Sequence, residues 1–122
     1  MKVLICGSRN WTNKKIIEDF IKSLPKGTWI IEGGCRGADK IAKEVAICNG
    51  YGLSEYPALW HRYGKAAGPI RNQKMLNDSK PDVVVAFHDN LEKGKGTKDM
   101  VNRAKKAGIP VRIIRSKEEC ED

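Results

Sequence analysis

Short apolar runs alternate with segments of helical period along nearly the whole chain. Val3-Leu4-Ile5-Cys6 has the length and composition of a buried strand. From Lys14 to Leu24, residues Ile16, Ile17, Phe20, Ile21 and Leu24 fall on one helical face, and Pro25-Lys26-Gly27 stops the helix. Thr28-Trp29-Ile30-Ile31 is β-branched and aromatic, a second strand. Ala38, Ile41, Ala42, Val45 and Ala46 repeat at helical spacing, closed by Asn49-Gly50. Tyr51 to Tyr56 holds a third strand, and Pro57 to Gly68 is a longer connection without a clear period. Pro69 suits the first turn of a helix running to about Asn77. Asp82-Val83-Val84-Val85-Ala86-Phe87 is the strongest strand signal. Thr97 is placed to cap a helix carrying Met100, Val101, Ala104 and Ala107, and Val111-Arg112-Ile113-Ile114 is a last strand. Strands alternating with helices imply an α/β fold: a parallel sheet covered on both faces and joined by right-handed crossovers. At 122 residues, the chain reads as a single domain over 1–116 with a charged C-terminal tail over 117–122.

Charge narrows the choice of partner. The chain carries +8; the last six residues contribute −3, so residues 1–116 hold +11. Such an excess favours an anionic partner: nucleotide, nucleic acid or phosphate. Four cysteines stand at 6, 35, 48 and 120, with no CxxC pair and no histidine near them in sequence. That pattern argues for reduced thiols rather than a zinc site or a disulfide framework. No apolar run approaches the roughly 18 residues of a membrane span. Met1 to Cys6 is too short for a signal peptide and runs straight into Gly7-Ser8-Arg9. A cytoplasmic setting without membrane contact is therefore expected.

In an open parallel sheet, ligands bind beyond the carboxyl ends of the strands, where strand order reverses. The loops concerned read Gly7-Ser8-Arg9-Asn10-Trp11, Gly33-Gly34-Cys35-Arg36-Gly37-Ala38-Asp39 and Lys93-Gly94-Lys95-Gly96-Thr97. Each combines glycine with a cation and leads into a helix, so backbone N–H groups and a helix dipole would meet an anion there. The dinucleotide fingerprint G-x-G-x-x-G is missing after the first strand, and no G-x-x-x-x-G-K-[ST] is present. A NAD-dependent dehydrogenase and a P-loop NTPase are thus disfavoured.

Trp60-His61-Arg62-Tyr63-Gly64-Lys65 interleaves aromatic and cationic groups, which suits a stacked base with its phosphate held by Arg or Lys. Arg71, placed in the first turn of the helix begun by Pro69, opposes the helix dipole there. Asp39 reads first as a cap of its helix turn and second as an acceptor for a ribose hydroxyl. Trp11 and Trp29 read as packing residues. His61 and His88 have no acid–base partner in sequence and read as loop residues.

Taken together, Gly7-Ser8-Arg9 with Trp11, Glu32 through Asp39, Pro57 through Trp60, Gly64 through Met75 and Gly94-Lys95-Gly96-Thr97 resemble the YspA-like branch of the SLOG superfamily. That superfamily also holds the LOG phosphoribohydrolases and the DNA-processing DprA proteins. The resemblance spans residues 2 to about 114. It implies a Rossmann-like three-layer sandwich with a five-stranded parallel sheet, order 3-2-1-4-5, and a nucleotide-type ligand at the strand ends. LOG enzymes carry P-G-G-x-G-T-x-x-E with R-K-x-x-M. Arg71-Asn72-Gln73-Lys74-Met75 is similar to the second stretch, with Asn72 in place of the lysine. Gly94-Lys95-Gly96-Thr97 is similar to part of the first. Met100 stands where the glutamate belongs, and Asp99, one position earlier, is expected on another part of the helix surface.

Three readings follow, in order. The first is binding of a phosphorylated nucleotide or a NAD- or ADP-ribose-derived molecule, as sensor, sequestering protein or processing module. Its ligand-binding residues would be Gly7, Ser8, Arg9, Gly33, Gly34, Arg36, Gly37, Asp39, Trp60, Lys65, Arg71, Asn72, Gly94, Gly96 and Thr97. The second is a phosphoribohydrolase or N-glycosidase using Arg71 with Asp99 or Asp39. The third is single-stranded DNA binding as in DprA. No cofactor and no metal are expected. By analogy with LOG proteins the chain would form a homodimer.

Overall fold

The computed structural model describes residues 1–116; the charged tail lies outside the described residues. Five strands and the helices between them follow the expected alternation. They are β1 (Lys2–Gly7), α1 (Lys14–Lys22), β2 (Trp29–Glu32), α2 (Ala38–Cys48), β3 (Gly52–Glu55), α3 (Trp60–Tyr63), α4 (Ala67–Ser79), β4 (Val83–Phe87), α5 (Lys95–Lys106) and β5 (Val111–Ile114). All pairings are parallel, and the strand order is β3-β2-β1-β4-β5. This is a Rossmann-like α/β sandwich.

The alternation of side chains along each strand separates two cores. On one face, Val3, Ile5, Ile30, Val85 and Phe87 pack with Ile17 and Ile21 of α1 and Ala42, Val45 and Ala46 of α2. On the other, Leu4, Cys6, Ile31, Val84 and Ala86 pack with Met75 and Leu76 of α4 and Met100, Val101 and Ala104 of α5. A strand buried on both faces needs an unbroken apolar run, which is what β1 and β4 supply. Trp11 is buried and meets the Phe87 ring edge-on at 5.6 Å, so it packs as expected. Trp29 is 47% exposed instead: at the start of β2 its ring lies across Gly52 and its indole N–H donates to Ser54 Oγ.

Several boundaries differ from expectation. The first helix ends at Lys22, and Leu24 closes the following turn through its N–H to Ile21. The aperiodic stretch after β3 contains α3 and a 3-10 turn over Gly64–Ala66. Because that turn runs directly into α4, the helix starts two residues before Pro69 and Arg71 sits in its second turn. Thr97 does not cap α5; Gly94 is the cap residue and Thr97 lies buried in the first turn.

Adjacent strands β1 and β4 carry their chains to opposite sides of the sheet, and the crevice between them is the switch point where such folds bind ligands. The register pairs Gly7 with Phe87, and the Ser8 N–H donates to the Phe87 carbonyl at 2.9 Å. The two loops therefore leave the sheet side by side.

Candidate functional site

A cleft of about 610 Å3 opens over the carboxyl edge of the sheet. Its wall is built from the β1 loop, the β2 loop, the α3–α4 region and the start of α5. Of the residues singled out in the sequence, Gly7, Ser8, Arg9, Gly33, Asp39, Trp60, Lys65, Arg71, Asn72, Gly94, Gly96 and Thr97 line it, and so does Asp99. Gly34 and Arg36 line a smaller neighbouring pocket of about 370 Å3. Gly37 lines neither.

Gly37 instead lets two loops touch. Its φ is +81°, and a Cβ there would overlap the Ser8 carbonyl and the Arg9 backbone. That close approach allows the Ala38 N–H at the start of α2 to donate to the Ser8 carbonyl at 3.1 Å. Gly7 is equally tight: a Cβ would strike the Phe87 carbonyl and Ala38.

The β2 loop is organised by carboxylates. Asp39 does not cap α2; its Oδ2 reaches back to accept the Gly33 N–H at 3.1 Å and the Cys35 N–H at 3.3 Å. Glu32 Oε1 accepts the Gly34 N–H at 2.5 Å. The backbone donors of Gly33, Gly34 and Cys35 are thus engaged by acids of the chain itself. Burial drives the Asp39 carboxyl up to about 6, against the opposing pull of the two amides and the Arg71 guanidinium. Glu32 is fully buried, and burial together with the neighbouring Glu55 carboxyl pushes it up to about 8. Its Oε2 has no donor among the described residues. Glu55 lies within hydrogen-bonding reach, and two carboxylates can bond only when one is protonated.

Arg71 joins three segments. Its Nη1 donates to the Gly33 carbonyl and to the Tyr56 carbonyl, the latter at 3.3 Å. Its Nε donates to Asn72 Oδ1 at 2.9 Å, and Nη2 lies 3.8 Å from Cys35 Sγ. Asn72, buried, passes the connection to α5: its Nδ2 donates to Asp99 Oδ2 at 2.9 Å and to the Gly96 carbonyl at 3.3 Å. Asp99 Oδ2 also accepts from Arg103 Nε at 2.8 Å. Asp99 and Met100 both line the cleft, although adjacent helix positions were expected to diverge; the wall follows the first turns of α5 closely enough to meet both.

Cations gather around the opening. Arg9, Lys65, Lys93 and Lys95 line the cleft and are exposed, and their side chains make no hydrogen bond or ion pair among the described residues. Lys95, Gly96 and Thr97 form the first turn of α5, where backbone N–H groups lack intrahelical acceptors, and no side chain caps that end. His88, read as a loop residue, also lines the cleft: its Nδ1 accepts the Asn90 N–H at 3.1 Å, and its ring fills the space a Cβ on Gly94 would take. Burial lowers its pKa from the ordinary histidine range, with Asp89 opposing. Position directly after β4 was the one sequence signal that could have singled it out. His61 is exposed on α3 and does not line the cleft. Among the described residues, no group of three or more His, Cys, Asp and Glu is arranged to hold a metal ion, and no helix is long and apolar enough to cross a membrane.

The fold is that of the SLOG class, and comparison gives the family. The pattern of the YspA, cpYpsA-related SLOG family (YAcAr) matches residues 1–63. The Gene 61 protein of Mycobacterium phage D29 is 37% identical over 119 residues, covering 90% of this chain and 93% of that protein. The chain belongs to the YspA, cpYpsA-related SLOG family. In fold it is similar to DNA processing protein A (DprA) from Streptococcus pneumoniae, with a TM-score of 0.77 and 21% identity over 97% of this chain. It spans about half of that protein, 51% of its length.

Proposed function

We propose that the cleft binds a phosphorylated nucleotide or a nucleotide-derived small molecule. The observation that carries this reading is the gathering of unengaged cations and an uncapped helix start around one cleft. A phosphate is matched by Lys93, Lys95, Lys65 and Arg9 and by the first-turn N–H groups of α5. The β2 loop would be a poor phosphate seat, because its donors are already taken by Asp39 and Glu32. That side, with the exposed Trp60 ring, suits sugar hydroxyls and a base. The glycines of the two loops therefore serve differently: Gly94 and Gly96 lie beside the phosphate, while Gly33 and Gly37 shape the wall. The +11 charge of residues 1–116 would draw an anionic ligand in. Reduced thiols and a cytoplasmic setting fit the same reading.

Titration calorimetry against a panel of nucleoside mono- and diphosphates tests it. Binding is expected, weakened about tenfold or more by the double substitution Lys93→Ala/Lys95→Ala, which removes two charged contacts. No heat at millimolar nucleotide with folded protein overturns the reading.

A second reading, hydrolysis of the N-glycosidic bond, is favoured by one observation: Asp99 lines the cleft with Oδ2 fixed by Asn72 and Arg103. A fixed carboxylate can stabilise an oxocarbenium-like centre or activate water. Chromatography would then detect free base, and Asp99→Asn would abolish its release. Single-stranded nucleic acid ranks third.

A further inference from the structure

We infer that His88 is a ligand-binding residue: a neutral imidazole that donates a hydrogen bond from Nε2 to a phosphate oxygen of the ligand, beside the first turn of α5. The inference rests on the nucleotide reading above and deepens it by assigning one contact. Strand alternation sets the side of the sheet. Val84 and Ala86 pack toward α4 and α5, whereas Val85 and Phe87 pack toward α1 and α2. His88 therefore falls on the α4–α5 side, where Cys6, Met75 and Met100 line the cleft with it. Its backbone is held there by β5, since the His88 N–H donates to the Ile114 carbonyl at 3.0 Å.

The hydrogen bonding of the ring selects one tautomer. Nδ1 accepts the Asn90 N–H at 3.1 Å, so the single proton of the neutral ring is on Nε2. A second proton on Nδ1 would break that bond, and burial also lowers the pKa, with Asp89 opposing. Among the described residues Nε2 has no hydrogen-bond partner, yet it is not a buried orphan as Glu32 Oε2 is. It is a free donor in contact with solvent. Gly94 fixes where that donor lies. Nε2 is the atom that a Cβ on Gly94 would strike first, so it rests against the cap residue of α5. Lys95, Gly96 and Thr97 follow with the first-turn N–H groups, and Lys93 and Lys95 line the same cleft. A phosphate presents more acceptor sites than one helix turn fills, and Nε2–H stands beside that turn. There it adds a directed hydrogen bond where the lysines add charge.

Nitrogen-15 NMR of the imidazole, joined to calorimetry, tests this. In the ligand-free protein at neutral pH the proton is expected on Nε2, and titration with AMP should shift the Nε2 resonance saturably. Inorganic phosphate should reproduce that shift and adenosine should not. His88→Asn keeps an acceptor for the Asn90 N–H but has no donor at the Nε2 position. It should weaken AMP binding about tenfold, the worth of one hydrogen bond to a charged group, with the thermal midpoint unchanged. His88→Gln carries a donor close to the Nε2 position and should recover most of that loss. If His88→Asn does not fold, the imidazole spectrum of the unsubstituted protein decides alone. A proton on Nδ1, an Nε2 resonance unmoved by bound AMP, a shift caused by adenosine but not by phosphate, or unchanged AMP affinity in folded His88→Asn overturns the inference and leaves the nucleotide reading standing. Failure of AMP to bind the unsubstituted protein overturns the nucleotide reading and this contact with it.

Discussion

Asp39 and Glu32 occupy backbone donors that a glycine-rich loop would otherwise offer to an anion, and their own ionisation is coupled to the fold. A carboxyl whose pKa rises on folding binds more protons in the native state than in the unfolded chain. Its contribution to stability therefore falls as pH rises from its ordinary value toward its folded one. For Glu32 that window runs from about 4.5 to about 8. Glu32→Gln keeps an acceptor for the Gly34 N–H and gains a donor toward Glu55. It is expected to flatten the decline over that window and to raise stability at pH 8.5 by at least about 1 kcal/mol, since one unit of pKa shift is worth about 1.4 kcal/mol. Urea unfolding midpoints across pH 5 to 9 measure this; a destabilised variant with an unchanged pH slope would contradict it. Gly37 acts at the same scale through its backbone. Gly37→Ala combines a positive φ with overlap against Ser8 and Arg9, and is expected to cost about 2 kcal/mol or more. Thermal unfolding against Gly50→Ala, where φ is also positive but a Cβ meets nothing, separates the overlap from the dihedral.

Between elements, Asn72 is the junction of the site. It holds Arg71 on one side and Asp99 with the Gly96 carbonyl on the other, tying the β2 loop through α4 to the start of α5. Asn72→Ala removes the hydrogen bonds to Arg71, Asp99 and the Gly96 carbonyl in a part-buried setting, leaving Asp99 Oδ2 with Arg103 alone. The expected loss is about 2–3 kcal/mol in chemical denaturation, together with weaker ligand binding. How far the sequence discloses these elements varies with the signal each carries. The unbroken apolar runs of β1 and β4 and the helical periods of α1, α2 and α5 are read directly, because a core on both faces of the sheet leaves little freedom. The Pro57–Gly68 stretch was opaque: α3 is four residues long with no buried side chain, so no period marks it. Thr97 is of a type that usually caps a helix, whereas Gly94 fills the place through loop geometry. The amide accounting of the β2 loop is hidden in the sequence, since Glu32 before the loop and Asp39 after it both fold back onto its N–H groups. His88 shows no acid–base partner in the sequence, because the group that meets its Nδ1 is only the backbone N–H of Asn90.

Across the whole molecule, topology gathers what the chain scatters. Parallel connections bring the ends of β1, β2 and β4 to one edge, and α3 with α4 closes the fourth side, so residues as distant as Arg9 and Thr97 line one cleft. The same arrangement lines that cleft with the unengaged cations Arg9, Lys65, Lys93 and Lys95 and with the carboxylates Asp39 and Asp99. The account stands on a phosphate being received at the start of α5 beside Lys93 and Lys95. Amide chemical-shift mapping of the 15N-labelled protein during titration with AMP reads this residue by residue. The largest shifts are predicted at Lys95, Gly96 and Thr97, with smaller ones over Gly7 to Asn10. Saturable shifts centred on Gly33 to Cys35 with α5 unmoved, or on a surface away from the sheet's carboxyl edge, would contradict it.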